Sequence, residues 1–133
     1  MTRVKLYTVL VTVLIASTVY ALLANRNDAS YSDVSVEQAW SLIHDRPDLV
    51  ILDVRTVAEY EEGHIAGALN IPVQELEERL HELDPSSEHL VYCRTGNRSS
   101  SAVQVLETNE FKRVHHMSQG ITAWVSAGYP VVT

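Results

Sequence analysis

The chain of 133 residues has a single cysteine, Cys93, and its neighbours define what that thiol can do. Cys93 ends the apolar run Leu90-Val91-Tyr92 and opens the segment Cys93-Arg94-Thr95-Gly96-Asn97-Arg98-Ser99. The pattern reads as a short strand, a compact glycine-bearing loop and a helix beginning near Ser99. Such a loop points backbone N–H groups at the sulfur from a helix N-terminus, where the partial charge is positive. A thiol with an ordinary pKa of about 8.5 can then ionise as low as ~3.5–7.5 and attack without a separate base. A free cysteine among apolar residues is more commonly a small buried hydrophobe. Two flanking arginines and a glycine favour the reactive thiol here. Thr95, Gly96 and Asn97 are expected to supply amides, and Gly96 to allow a backbone conformation or close approach that a side chain would obstruct.

A second chemical pair lies nearby. Leu49-Val50-Ile51-Leu52 is an apolar run of strand length, and Asp53 and Arg55 lie just past its end. In an open α/β sheet, ligands bind at the carboxyl ends of the strands, so Asp53 and Arg55 should meet Cys93 at one site. They are expected to form a buried ion pair that supports the Cys93 loop. The six histidines are scattered without ligand spacing, so no metal is expected. His115 and His116 are adjacent on a predicted strand and point to opposite faces, and His64 reads as a packed or hydrogen-bonded turn residue. Asn97-Arg98-Ser99 fits a glycosylation sequon, but modification inside this loop would block it, and the match is read as chance.

Cys93 to Ser99, with Leu52-Asp53-Val54-Arg55, Glu59-Tyr60, Gly63-His64-Ile65-Ala66-Gly67-Ala68 and Asn70-Ile71-Pro72, resembles a rhodanese (sulfurtransferase) domain. Gly120-Ile121-Thr122-Ala123-Trp124, followed by Gly128-Tyr129-Pro130-Val131, is similar to the family's closing segment, although Gln119-Gly120 stands where a glycine pair is usual. The likeness covers about residues 33–132. It implies transfer of a sulfane sulfur: the Cys93 thiolate attacks a donor such as thiosulfate, becomes a persulfide, and passes the sulfur to cyanide, a thiol or a protein acceptor. No cofactor is implied. Arg94 and Arg98 are candidates to hold the anionic donor, with Arg94 weighted towards substrate and Arg98 towards loop structure and field. Thr95, Gly96, Asn97 and Ser99 complete the substrate loop.

Two alternatives stand beside this reading. The cysteine phosphatases resemble Cys-x5-Arg, whereas Cys93 and Arg98 give Cys-x4-Arg, a loop that suits an outer sulfur better than a phosphoryl group. A phosphatase or arsenate reductase is therefore disfavoured. A non-enzymatic module that binds a partner or carries persulfide sulfur remains open.

The elements that must position these residues follow from periodicity. Ser35 with Gln38 fits a capping box, and Val36, Ala39, Trp40 and Ile43 form one helix face. Thr56 to Glu62 reads as a short acidic helix stopped by Gly63, and Ala68 to Ile71 as a strand closed by Pro72. Val73, Leu76, Leu80 and Leu83 predict a further helix. Ala102, Val103 and Leu106 predict the helix after the Cys93 loop, Arg113 to Met117 a strand, and Ile121, Trp124 and Val125 a last helix. Alternating strands and helices predict an α/β fold with a parallel sheet covered on both faces, and the rhodanese resemblance implies about five strands with helices on both faces. No internal repeat or low-complexity segment is evident.

Leu6 to Ala24 has 19 residues without a charge, preceded by Arg3 and Lys5. A signal peptide's apolar core is ~7–15 residues, whereas about 20 span a bilayer as a helix, so length favours an uncleaved anchor. Val19-Tyr20-Ala21 is a competing cleavage site, which would leave an exported protein. Charge flanks predict an inside N-terminus and an extracytoplasmic domain. The chain is thus divided into a membrane segment (1–24), a polar tether (25–32) and one domain (33–133). Of ten basic residues, Arg3 and Lys5 fall in the first segment, leaving eight against 17 acidic ones, a formal charge of minus nine. That balance argues against nucleic acid and against an anionic membrane surface as partners. One cysteine cannot form an intramolecular disulfide, so outside the cytoplasm Cys93 depends on an external thiol or protein partner to stay reduced or persulfidated.

Overall fold

Side-chain alternation along the strands builds two cores, one on each face of a sheet. In the computed structural model, which describes residues 3–24 and 30–133, five strands form one parallel sheet in the order β1-β5-β4-β2-β3. These are β1 (Ser30–Val34), β2 (Val50–Asp53), β3 (Leu69–Asn70), β4 (Glu88–Tyr92) and β5 (Arg113–Met117). Leu90, Tyr92 and Met117 face one core with Ala39, Ile121 and Trp124. Val91, Cys93 and Val114 face the other with Leu76, Ala102 and Leu106. Helices α2 (Val36–Asp45) and α5 (Gly120–Ser126) cover the first face, and α4 (Asn97–Thr108) the second. The short α3 (Val57–Glu62) follows β2. This is the expected five-stranded parallel α/β architecture.

The site follows from strand order. After β2 the chain moves outward to β3, whereas after β4 it moves to the other side, to β5. The carboxyl ends of β2 and β4 therefore flank the point where the winding reverses, the crevice of an open α/β sheet. Asp53 is in register with Tyr92, and the Val54 amide donates to the Tyr92 carbonyl at 3.1 Å. Asp53, Arg55 and Cys93 therefore emerge side by side.

Three local readings change. Strand β1 begins at Ser30, within the stretch read as tether, and pairs with β5 from Ser30↔Arg113 to Val34↔Met117. Five residues on a sheet edge, with only Tyr31 and Val34 apolar, give too little alternation to read. Residues 25–29 of that tether lie outside the described residues. Val73 to Leu83 is not an α-helix but two 3₁₀ segments, Val73–Glu75 and Glu77–Glu82. Spacings of three residues from Val73 to Leu76 and from Leu80 to Leu83 suit i→i+3 hydrogen bonds, and neither segment has a side-chain cap. The helix expected near Ser99 starts two residues earlier, at Asn97.

The capping box is present as expected: the Gln38 amide donates to Ser35 Oγ at 3.2 Å, and the Ser35 amide to Gln38 Oε1 at 2.8 Å. The N-terminal apolar segment is one helix, α1 (Arg3–Ala24). Its 22 residues extend about 33 Å, and its stretch Arg3–Leu23 has mean hydropathy 2.1, long and apolar enough to cross a membrane or to serve as a signal sequence.

Candidate active site

Cys93 is the first residue past β4, and its side chain points into the α4 face of the sheet, only 1% exposed. The chain then turns through exposed Arg94 and Thr95 to Gly96, whose φ of +110° starts α4. That turn brings the loop back over the sulfur. The Gly96 amide donates to Sγ at 3.1 Å, and Ser99 Oγ lies 3.2 Å away. Burial pushes the Cys93 thiol up. The Ser99 hydroxyl and the amides of Ser99, Gly96 and Thr95 more than offset this, and its pKa falls below the ordinary thiol value. Asn97 is exposed and opens the helix.

A second segment locks the loop from behind. The Ile121 amide donates to the Cys93 carbonyl at 2.9 Å and the Thr122 amide to the Arg94 carbonyl at 3.2 Å. A Cβ on Gly96 would stand 2.1 Å from the Ser118 carbonyl oxygen, and one on Gly120 2.2 Å from that of Arg94. Gly120, at φ +71°, is therefore the glycine the loop requires. Gln119 has an ordinary right-handed backbone, φ −81° and ψ −13°, which accounts for a side chain where a second glycine is usual.

The two loop arginines separate. Arg98 forms a double contact with Glu59 of α3, at 2.7 and 2.8 Å, which fixes the start of α4 against α3. The Arg98 guanidinium and the Thr56 cap hold the Glu59 carboxyl down at about 2. Arg94 is exposed and, among the described residues, makes no ion pair. It lines a cavity of about 440 Å³ with Arg55, Glu59, Gly63, Thr122 and Val131. A cleft of about 600 Å³ at the opposite, amino end of the strands, beside Leu49, Glu88 and Arg113, is remote from the thiol.

Asp53 and Arg55 form the expected buried ion pair, with Nη2–Oδ2 2.6 Å and Nε–Oδ1 3.0 Å. Arg55 also donates to the Gly63 carbonyl at 2.7 Å, and its guanidinium carbon lies 5.7 Å from the centre of the Tyr92 ring. Burial opposes the Arg55 charge, and the Asp53 carboxylate outweighs it. The pair thus lies against Tyr92, the residue immediately before Cys93.

Sequence reasoning missed two contacts. Glu59 as the partner of Arg98 was signalled by Thr56 three residues before it, a second capping box that holds Glu59 in place. The other is Ser99 Oγ, 2.7 Å from His116 Nε2, with His116 Nδ1 2.9 Å from Asp33 Oδ1. His115 and His116 do face opposite sides as expected, and the structure places His116 on the α4 face and His115 on the other. His64 stacks on Tyr60 and bonds to its carbonyl oxygen at 2.8 Å. Among the described residues no three His, Cys, Asp or Glu side chains gather as a metal site.

A parallel α/β sheet with a buried thiol cradled by amides at the carboxyl end of a central strand defines the class: an α/β domain with a loop-held cysteine. The rhodanese-like domain family model matches residues 35–127, and the chain belongs to that family. It is 39% identical over 94 residues to thiosulfate sulfurtransferase GlpE of Coxiella burnetii, covering 71% of this chain and 87% of that protein. It is 34% identical over 101 residues to YrkF of Bacillus subtilis, whose name includes the words sulfur carrier protein; there the match spans 76% of this chain but only 55% of the relative. Its fold is similar to a rhodanese-related protein from Thermoplasma volcanium, with a TM-score of 0.69, 34% identity, and coverage of 77% of this chain and 98% of that one.

Proposed function

We propose that this protein is a sulfurtransferase in which Cys93 carries the sulfur. Membership of the rhodanese-like family and the relative named thiosulfate sulfurtransferase support sulfur transfer in general. The observation that carries the Cys93 mechanism is the cradle itself, a buried Sγ receiving the Gly96 amide at 3.1 Å beside the Ser99 hydroxyl at 3.2 Å. In the first half-reaction the thiolate attacks the outer sulfur of thiosulfate. The S–S bond breaks, sulfite leaves with the electron pair, and Cys93 becomes a persulfide. In the second, cyanide or a thiolate attacks the outer sulfur and the Cys93 thiolate is regenerated. The amides serve both anions in turn, and covalent capture divides one transfer into two displacements.

Arg94, exposed at the cavity wall, is assigned to the anionic donor, whereas Arg98 holds the loop through Glu59 and adds positive field. Thr95, Gly96 and Ser99 contribute amides to the sulfur, and Asn97 shapes the turn into α4. Thiocyanate formation from thiosulfate and cyanide tests the reading. The wild-type chain should turn over and Cys93→Ser should fall to background, while full activity of Cys93→Ser contradicts the mechanism. Arg94→Ala should raise the KM for thiosulfate roughly three- to tenfold with a smaller change in kcat, the size of one exposed charge-assisted bond.

The name of YrkF favours a second reading, a persulfide carrier fed by another protein. It keeps the Cys93 chemistry and differs in lacking thiosulfate turnover. For placement in the cell, we propose that α1 is an uncleaved single-pass anchor with the domain on the extracytoplasmic side.

A further inference from the structure

Beyond the cradle, Cys93 is linked to the sheet edge by a line of polar contacts. His116 lies in register between Asp33 on β1 and Val91 on β4, with its ring on the α4 face. Its Nδ1 is 2.9 Å from Asp33 Oδ1 and its Nε2 2.7 Å from Ser99 Oγ, which in turn is 3.2 Å from Cys93 Sγ. The His116 side chain is 12% exposed, and Asp33 is 74% exposed. The line runs from a buried thiol through a shielded imidazole to a solvated carboxylate. Two neighbouring titratable groups among the described residues are engaged elsewhere. On α4, Arg98 is close enough to feel the Cys93 charge but is bound to Glu59. On β5, His115 turns to the opposite face, where it meets Glu88 at 2.6 Å.

The hydrogens in this line can be counted. Nδ1 faces a carboxylate, so it carries a hydrogen and donates it. Ser99 has one hydrogen and three neighbours, namely Sγ, Nε2 and the Gly96 carbonyl oxygen at 3.1 Å. With His116 neutral, the Nε2 lone pair takes that hydrogen, and Ser99 offers a lone pair to the sulfur. That arrangement suits a thiol and opposes a thiolate. With His116 protonated, Nε2–H donates to Ser99 and frees its hydrogen for the sulfur, which suits a thiolate.

We propose that His116, held by Asp33, is a positioning residue that sets the ionisation of Cys93 through the Ser99 hydroxyl. In the forward step the Cys93 S–H bond breaks as an O–H bond forms on Ser99. The original Ser99 O–H breaks as N–H forms on Nε2. A thiol and an imidazole become a thiolate and an imidazolium beside the Asp33 carboxylate, with no change of oxidation state. Two ionisable groups coupled in this way lose their protons in two macroscopic steps that belong to the pair. This inference rests on the proposed role of Cys93 as the reactive thiol.

The test is the pH dependence of Cys93 alkylation by iodoacetamide, an uncharged probe, in the full-length protein in detergent. Wild type should show two inflections. His116→Gln, whose amide can still reach Ser99 but does not titrate, should show one, with the rate at neutral pH lowered by roughly tenfold, the equivalent of one pKa unit. Ser99→Ala, a small change that tests the same link should His116→Gln misfold, should also show one. The double variant should match the single ones, because both cut the same line. Two inflections persisting in His116→Gln, or effects that simply add in the double variant, would overturn the relay. Alkylation requires only a thiolate: a chain that alkylates in two steps yet never acquires sulfur keeps the relay and loses the transfer.

Discussion

Asp53 and Arg55, two positions apart, pair at the end of β2 against Tyr92, which precedes Cys93. Both are buried at the end of β2, and each is the other's main partner. Asp53→Asn leaves the Arg55 charge buried without its carboxylate, which typically costs about 3–5 kcal/mol. Chemical denaturation should show a loss of that order, together with reduced sulfur transfer through the Tyr92–Cys93 backbone. Unchanged stability and activity would remove Asp53 from the site. This pair was legible because a carboxylate and a guanidinium directly after an apolar strand have few places to go except each other. The His116 contact was less legible, since alternation sets it opposite His115 but does not say which face it takes or that Ser99 of α4 packs there.

At the scale of elements, the Cys93 loop is held by three others: α3 through Glu59, α5 through its amides, and the Ser118–Gly120 turn by contact. Gly96→Ala places a Cβ 2.1 Å from the Ser118 carbonyl oxygen at φ +110°, so it should destabilise the protein by more than about 2 kcal/mol. A loss under about 0.5 kcal/mol in urea denaturation would mean that the turn yields. The Glu59–Arg98 pair has a pH signature. The Glu59 carboxyl is lowered from 4.5 to about 2, so its contribution is present above pH 4.5 and lost as the pH falls through about 2. The pair is partly solvated, and about 1 kcal/mol is the expected size. Comparing wild type with Glu59→Gln across that range should show the stability gap closing in acid. Long, strongly patterned elements such as α2 and β4 were readable in the sequence. The stretch from Val73 to Leu83 was not, because the three-residue spacings Val73–Leu76 and Leu80–Leu83 fit a 3₁₀ turn as well as an α-helix, and β1 was hidden because an edge strand buries few side chains.

At the scale of the molecule, a domain with a formal charge of minus nine follows a helix long enough to span a bilayer. The anchor proposal predicts that the chain stays in the membrane fraction through alkaline carbonate extraction, with intact mass still including residues 1–24. Release of a shorter chain beginning after Ala21 would indicate cleavage at Val19-Tyr20-Ala21. Topology placed the thiol where such a sheet keeps its chemistry, and the family match adds the class of reaction. The most direct test is the intact mass of the purified full-length protein before and after thiosulfate, beside Cys93→Ser. The account predicts a gain of one sulfur atom in wild type only, removed by cyanide. No gain in a folded protein with a free Cys93 thiol, or the same gain in Cys93→Ser, would contradict it.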